Sequence, residues 1–367
     1  MKNEQELLKG PIFFDSNRVR RVYLGGALFA DFFGDDSTDC LRPEEWVASS
    51  VEARNADAFP EPIPHEGVSV VRGTDLLFSD LIKKYPRELL GGREDLGILV
   101  KMLDSAIRLP VQAHPDPAFS EKHLHSHYGK TESWIILACR KDAAIYYGVN
   151  HQMTKDELRA AVAASVTDKD AMERNLNRVP VKPGDVFLIT AKTVHAIGAG
   201  CLLLETQEPT DFTIQPEAWC GDVRLTPGTM YLGLDEEIAL DCFDFSSYGD
   251  EVVERGRQTP KILSDEGGVL EEELIGYDAT PCFSVRRVTL KDGVFDRLPG
   301  ASVCVVTEGA GTIKAENGDY PVKRGDYFFI PFAAAKTASL SGDLQAILCL
   351  PPNVGARMRD TPKTKRD

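Results

Sequence analysis

The 367-residue chain contains no run of about 18 or more apolar residues, so no segment is expected to cross a bilayer as a helix. Its opening residues, MKNEQELLKGP, lack the apolar stretch of a signal peptide. Its eight cysteines (Cys40, Cys139, Cys201, Cys220, Cys242, Cys282, Cys304 and Cys349) include no C-x-x-C pair. Several lie in apolar runs, as Cys201 does in GCLLLE and Cys349 in AILCLP, so buried free thiols are expected rather than a redox or metal centre. Positive charge is scarce: 42 Lys and Arg stand against 57 Asp and Glu, a net charge of −15. That balance argues against a nucleic-acid surface and would repel an anionic ligand, whose site would need its own local Lys or Arg. The expectation is a cytoplasmic protein with neither membrane nor nucleic-acid partners.

What the sequence does hold is ordinary globular material, 43% hydrophobic and 27% charged, enough for two domains or one large domain with insertions. Residues 10–75 suggest short strands and turns in PIFF, RRVYLGG and EEWVASS. TDLLFSDLIKKYPRELLG places apolar residues at helical spacing, broken by Pro86 and closed by Gly91 and Gly92. ILVKMLD, RLPVQAHP, ESWIILACR and AAIYYGV read as buried strands. TKDELRAAVAAS opens with a capping box, Thr154 with Glu157, and TDKDAMERNLN suggests a second capped helix. These helical pieces, about 74–92 and 154–178, interrupt a strand-rich chain. After about residue 250 the pattern is all strand.

KPGDVFLITAKTVHAI and KRGDYFFIPFAAAKTA are two versions of one phrase, with a basic residue, a Gly-Asp turn, an aromatic-rich strand and a short loop. The first carries His195 where the second has only Ala and Lys. Two related β-barrels, one with a metal site and one without, account for this economically. The expected fold is therefore mainly β, with two cupin-type (jelly-roll) barrels. Residues 1–248 would form the metal-binding domain with its helical insertion. Residues 249–355 would form a second cupin without a metal site, and 356–367 a basic tail.

Four of the seven histidines fall in VQAHPDPAFSEKHLHSHYGKTESW. One ligand set is His125, His127 and Glu132, an H-x-H-x₄-E spacing that matches the first metal motif of cupin barrels, completed by His195. FSEKHLHSHYG is polar, however, and no Gly stands six residues before His125. The other set is Gln112 and His114, at the end of an apolar run, with Glu132 and His195 each opening another strand. Two imidazoles, a carboxylate and an amide oxygen suit zinc or a similar divalent ion with one open position. His123, His125 and His127 would then lie in a loop. A third account makes His114 and His195 satisfied core histidines.

Several stretches in order, YLGGALFADFFG, EEWVASS, LVKMLDSAIRLPVQAHPDPAFSEKH, GKTESWIIL, VFLITAKTVHAIGAGCLLLETQEPTDFT and the C-terminal VTEGAGTIKA and RGDYFFIP, resemble class I mannose-6-phosphate isomerases. These are double-cupin zinc enzymes that interconvert mannose 6-phosphate and fructose 6-phosphate. The resemblance implies one Zn²⁺ per chain, in the N-terminal cupin, on Gln112, His114, Glu132 and His195. It makes Glu205 a candidate acid/base, against an ion-paired structural role, and Lys130 a contact to a substrate oxygen or a proton shuttle, against a solvated surface lysine.

Two positions depart from the family. Gln215 stands where the family has an arginine assigned to the phosphate, and Pro110 where it usually has a serine that contacts phosphate. Arg224, nine residues beyond Gln215, is the candidate replacement, against an ordinary surface arginine. The implied activity is aldose–ketose isomerisation through a cis-enediol by a monomer or weak homo-oligomer. The alternatives are a different or unphosphorylated sugar, or a catalytically silent sugar- or metal-binding cupin.

Overall fold

The computed structural model describes residues 4–55 and 57–353, so the basic tail expected at 356–367 lies outside the described residues. The chain is mainly β and divides into two compact units. One gathers Met1–Asp15, Val70–Leu99 and Pro260–Asp367; the other holds Ser16–Ser69 and Val100–Thr259. This differs from consecutive domains meeting at 248 and 249. The N-terminal strand Ile12–Phe13 pairs with Tyr327–Ile330, and the helices Phe78–Lys84 and Pro86–Leu90 belong to the same unit as that pair. Gly91 ends the second helix at φ 68°, as its position after the apolar run suggests.

The unit that carries the candidate site is built on a seven-stranded sheet. Its order is Arg257–Gln258, Val186–Ile189, Glu132–Cys139, Cys201–Gln207, Leu99–Asp104, Glu44–Val47 and Arg18–Val19. Leu176–Pro180, Ala144–Val149 and His195–Ile197 form a second, three-stranded sheet. CLLLETQ is buried at every position, its apolar start Cys201–Leu204 and its polar end Glu205, Thr206 and Gln207 alike, so it shows no alternation of buried and exposed residues. The other unit strings seven strands along one path and hangs an eighth, Gly318–Lys323, on Ser302–Ala315. Among the described residues no sheet closes on itself.

One turn is built twice. In Lys182–Asp185 and again in Lys323–Asp326, the Asp carboxylate accepts from the Lys backbone N–H, at 3.1 and 2.8 Å. The Asp N–H returns to the Lys carbonyl at 3.1 and 2.9 Å. The intervening glycine adopts φ 93° in one and 91° in the other, a region that L side chains avoid. Gly184 and Gly325 then donate to Ile136 and Val306, at 2.8 and 3.0 Å, which anchors each turn to a neighbouring strand.

Local signals held where tertiary demands agreed with them. The capping box at Thr154 and Glu157 is formed and opens Lys155–Ser165, which buries Leu158 and Val162. The second capped helix expected in TDKDAMERNLN is absent. Only the 3₁₀ turn Glu173–Asn175 forms, and Leu176–Pro180 becomes a strand. Sheet pairing prevails there because the Asn177 amide donates to the carbonyls of Tyr147, Gly148, Val149 and Gly249, bracing an irregularity in the neighbouring strand.

RLPVQAHP is not a regular strand either. It makes isolated bridges at Gln112 and Ala113, in a stretch where the prolines at 110 and 115 supply no N–H. The all-strand region after 250 begins instead with the helix Asp250–Gly256. HLHSH, expected as a loop, is partly the end of helix Pro117–Leu124. Asp116 caps that helix by accepting from Phe119 N–H at 2.7 Å, and Pro117 occupies its first position.

The matched turns make a paired prediction. Gly184→Ala and Gly325→Ala should each lower stability by about 1–2 kcal/mol, by similar amounts, because both put a Cβ into the same disfavoured backbone conformation. Urea unfolding of the two variants measures this. A loss at one glycine only would show that the two turns are not equivalent.

Candidate metal centre and active site

Strand register brings the site together. Glu132 lies opposite Gln207 and Trp134 opposite Glu205, so these four side chains share one face of the sheet. Gln112 and His195 lie directly opposite each other and exchange both backbone hydrogen bonds, each 2.9 Å long. Their side chains therefore project to one side, and His114, two residues on, is held near them. Its own carbonyl accepts from Lys192 N–H at 2.7 Å.

The two imidazoles are oriented by the main chain. His114 Nδ1 lies 2.9 Å from the Phe212 carbonyl and His195 Nδ1 2.9 Å from the Thr193 carbonyl. A carbonyl only accepts, so each Nδ1 donates its proton and each Nε2 keeps a lone pair. His114 Nε2 is 3.0 Å from one Glu132 oxygen and His195 Nε2 3.5 Å from the other. The rings lie 4.7 Å apart between centroids, with Trp134 edge-on to His195 at 5.4 Å. Burial pushes the His114 imidazole down to about 3, helped by the nearby Lys130 ammonium, and burial lowers His195 as well. Both rings are therefore neutral donors. Burial alone would raise Glu132, but the Lys130 ammonium beside it holds its carboxyl well below the usual range.

One ligand atom from each of His114, Glu132 and His195 lies within 4.8 Å of the others, all buried. His195 Nε2 and Glu132 Oε2 are sealed from water without a hydrogen-bond partner of proper geometry. Two Nε2 lone pairs facing one buried carboxylate, with His195 Nε2 left without a hydrogen-bond partner, fit a divalent cation such as zinc. Gln112 lines the adjoining cavity, about 110 Å³ in volume.

A ladder of buried charges continues from the triad along that cavity. Lys130 Nζ is 2.9 Å from Glu132 Oε2 and 2.9 Å from His114 Nε2, and the residue is 4% exposed, far from a solvated lysine. Glu205 lies 3.3 Å from Lys101, which in turn lies 3.7 Å from Glu44. Glu44 accepts from Arg21 at 3.0 Å, from the Tyr23 hydroxyl at 2.6 Å and from Trp46 Nε1 at 2.7 Å. Arg21 closes the ladder on Asp211 at 3.0 Å.

Burial and the negative charge of Glu132 push the Glu205 carboxyl up, against the pull of Lys101 and Lys130. Burial alone would raise Glu44 and Asp211 too, but the Arg21 and Lys101 charges hold both below the ordinary range. Sequence reasoning singled out none of Arg21, Glu44, Lys101 and Asp211. The available signal was a charge inside an otherwise apolar run, as in EEWV and LVKMLD.

The structure brings Gln112, His114, Glu132, His195, Lys130 and Glu205 together. Pro110 and Gln215 also line the cavity, the latter donating to the Thr229 carbonyl at 3.3 Å. Arg224 does not reach it. The two-residue strands Trp219–Cys220 and Val223–Arg224 pair Arg224 with Trp219, and its guanidinium sits 5.4 Å from that indole on an exposed edge. His125 is the left-handed C-cap of helix Pro117–Leu124, while His123 and His127 rest against Phe119 and Tyr128.

No family model matches the chain. It is 31% identical over 328 residues to mannose-6-phosphate isomerase ManA of Bacillus subtilis strain 168, covering 88% of this chain and 93% of that protein. The crystal structure of the mannose 6-phosphate isomerase from Bacillus subtilis aligns with a TM-score of 0.74 at 24% identity, over 93% of this chain and 99% of the other. A mannose 6-phosphate isomerase bound with zinc and yttrium aligns at 0.68 and 15% identity, over 94% of this chain and 100% of the other.

Two outcomes are expected. His114→Ala and His195→Ala should each abolish zinc binding, whereas His125→Ala should retain it, as metal content after dialysis will show; equal loss in all three would refute the triad. Acid should also weaken the fold. With the Glu44 and Asp211 carboxyls lowered, their stabilisation is fully present above about pH 4, where unfolded carboxyls titrate, and is lost as pH falls toward the native values. A melting temperature that stays flat from pH 5 to pH 3 would contradict this.

Proposed function

The chain belongs to the mannose-6-phosphate isomerase family and is an aldose–ketose isomerase, and from that premise we propose that it interconverts mannose 6-phosphate and fructose 6-phosphate with zinc. The observation that carries this reading is the convergence of His114, Glu132 and His195 with Lys130 and Glu205 in and around one buried cavity. In this reading Gln112 joins the triad as fourth ligand of a single Zn²⁺. The two units are cupin barrels of which only one holds metal, and the protein works in the cytoplasm as a monomer or weak homo-oligomer.

Isomerisation moves a proton between C1 and C2 through a cis-enediol. It needs a base, an acid and compensation for the charge that develops on oxygen. Bound zinc supplies Lewis-acid stabilisation of that charge. Glu205 is suited to take the proton and return it. Burial and Glu132 raise its carboxyl toward the working range, and Lys101 at 3.3 Å keeps the ionised form accessible. Lys130 presents an ammonium beside the triad and can donate to a substrate oxygen. The near-complete burial of these groups limits the water that can reach an enediol held among them.

A second reading, an unphosphorylated sugar as substrate, draws support from Pro110 and Gln215, which line the cavity without charge. A coupled assay comparing mannose 6-phosphate with mannose, with zinc and with a chelator, separates the two. Turnover of the phosphorylated sugar that is lost to the chelator is expected. Equal kcat/KM for mannose would favour the second reading, and no turnover of any hexose by the zinc-loaded protein would make it a silent binding cupin. Glu205→Gln should lower kcat by about 10²–10⁴-fold while zinc content is kept.

A further inference from the structure

We propose that Arg54 is the side chain that binds the phosphate of the substrate, in place of the charge that Gln215 and Pro110 do not provide. The inference rests on the isomerase reading above and adds a specificity-determining residue to it.

Four cations line the cavity: Arg21, Arg54, Lys101 and Lys130. Three are matched by buried carboxylates, Arg21 by Glu44 and Asp211, Lys101 by Glu205 and Glu44, and Lys130 by Glu132. Their charge is engaged in holding the site together. Arg54 is different. Among the described residues no carboxylate lies within ion-pair distance of its guanidinium, although Asp57 lines the same cavity. Its guanidinium lies over the Phe212 ring, 5.4 Å from the centroid.

The backbone beneath this side chain is fixed. Arg54 N–H donates to Asp211 Oδ2 at 2.8 Å. The next residue, Asn55, accepts from Arg21 at 2.9 Å and donates to the Arg20 carbonyl and to Glu66 at 2.9 and 3.0 Å. Phe212, on which the guanidinium leans, supplies the carbonyl that orients His114. The free cation is thus tied through two residues, Asp211 and Phe212, to the frame of the triad.

The electrostatics require such a group. The protein carries a net charge of −15, and Glu44, Glu132, Glu205, Asp211 and Asp57 line the cavity. A phosphate dianion approaching that wall is repelled unless an uncommitted cation meets it. A guanidinium fork matches phosphate oxygens in a bidentate fashion, which an ammonium cannot do. Arg224, stacked over Trp219 outside the cavity, does not serve this purpose.

The test compares the zinc-loaded wild type with Arg54→Gln, Arg54→Lys and Arg224→Gln. It measures KM and kcat for mannose 6-phosphate and the affinity for inorganic phosphate by calorimetry. Arg54→Gln should raise both KM and the phosphate dissociation constant by about tenfold to a hundredfold, the loss of a charge-assisted pair of hydrogen bonds. Arg54→Lys should recover part of the loss, and Arg224→Gln should change neither quantity. Unchanged KM and unchanged phosphate binding in Arg54→Gln would overturn the proposal. A wild type that holds zinc yet turns over no mannose 6-phosphate would sink the isomerase reading instead. The calorimetric comparison would then still decide Arg54, with weaker phosphate binding by Arg54→Gln supporting the anion site and equal binding refuting it.

Discussion

The reciprocal pair of backbone hydrogen bonds between Gln112 and His195 is the constraint on which the site depends. It joins two segments more than eighty residues apart in sequence and sets their side chains on one face. Phe212 then turns His114 through its carbonyl, and Ile214 pairs with Ala113 between the two candidate ligands. The main chain thus orients both imidazoles through carbonyls that accept from Nδ1, the arrangement that ligating histidines commonly show.

Around this frame lies a wall of charges that would be untenable singly. A buried Lys, Arg or Glu is strongly disfavoured without a partner. Here the partners alternate in sign from Glu132 through Lys130, and from Glu205 through Lys101, Glu44 and Arg21 to Asp211. Glu132, Lys101, Glu44, Arg21 and Asp211 are held charged by their neighbours against burial, whereas the Glu205 carboxyl is pushed upward. Under the proposed function, Glu205 is thus the member suited to exchange a proton, with the remaining ladder as its electrostatic background.

Much of this was legible in the sequence, for reasons that differ between elements. The capping box at Thr154 and the stop at Gly91 are local, and each formed as its residues dictate. The grouping of Gln112, His114, Glu132 and His195 rested on a family resemblance, because spacing alone left the H-x-H of HLHSH in contention. Helix Pro117–Leu124 was missed although Asp116-Pro117 is a regular helix opening, because the polar PAFSEKHL buries only Phe119 and Ser120 and shows no apolar stripe at helical spacing. The strand at Leu176–Pro180 was not locally visible at all, being specified by a distant Asn177 contact. The charge ladder escaped notice for a related reason: its members come from separate strands and acquire meaning only through one another.

The discontinuous units have a consequence for synthesis. Strand Ile12–Phe13 leaves the ribosome more than three hundred residues before its partner Tyr327–Ile330. The site-bearing unit, by contrast, has every strand of its sheet once Arg257–Gln258 has emerged. During translation the site-bearing unit can therefore complete its hydrogen bonding first, while Ile12–Phe13 waits as an unpaired edge. That waiting strand is only two residues long, the kind of short edge that offers little template for pairing with other chains.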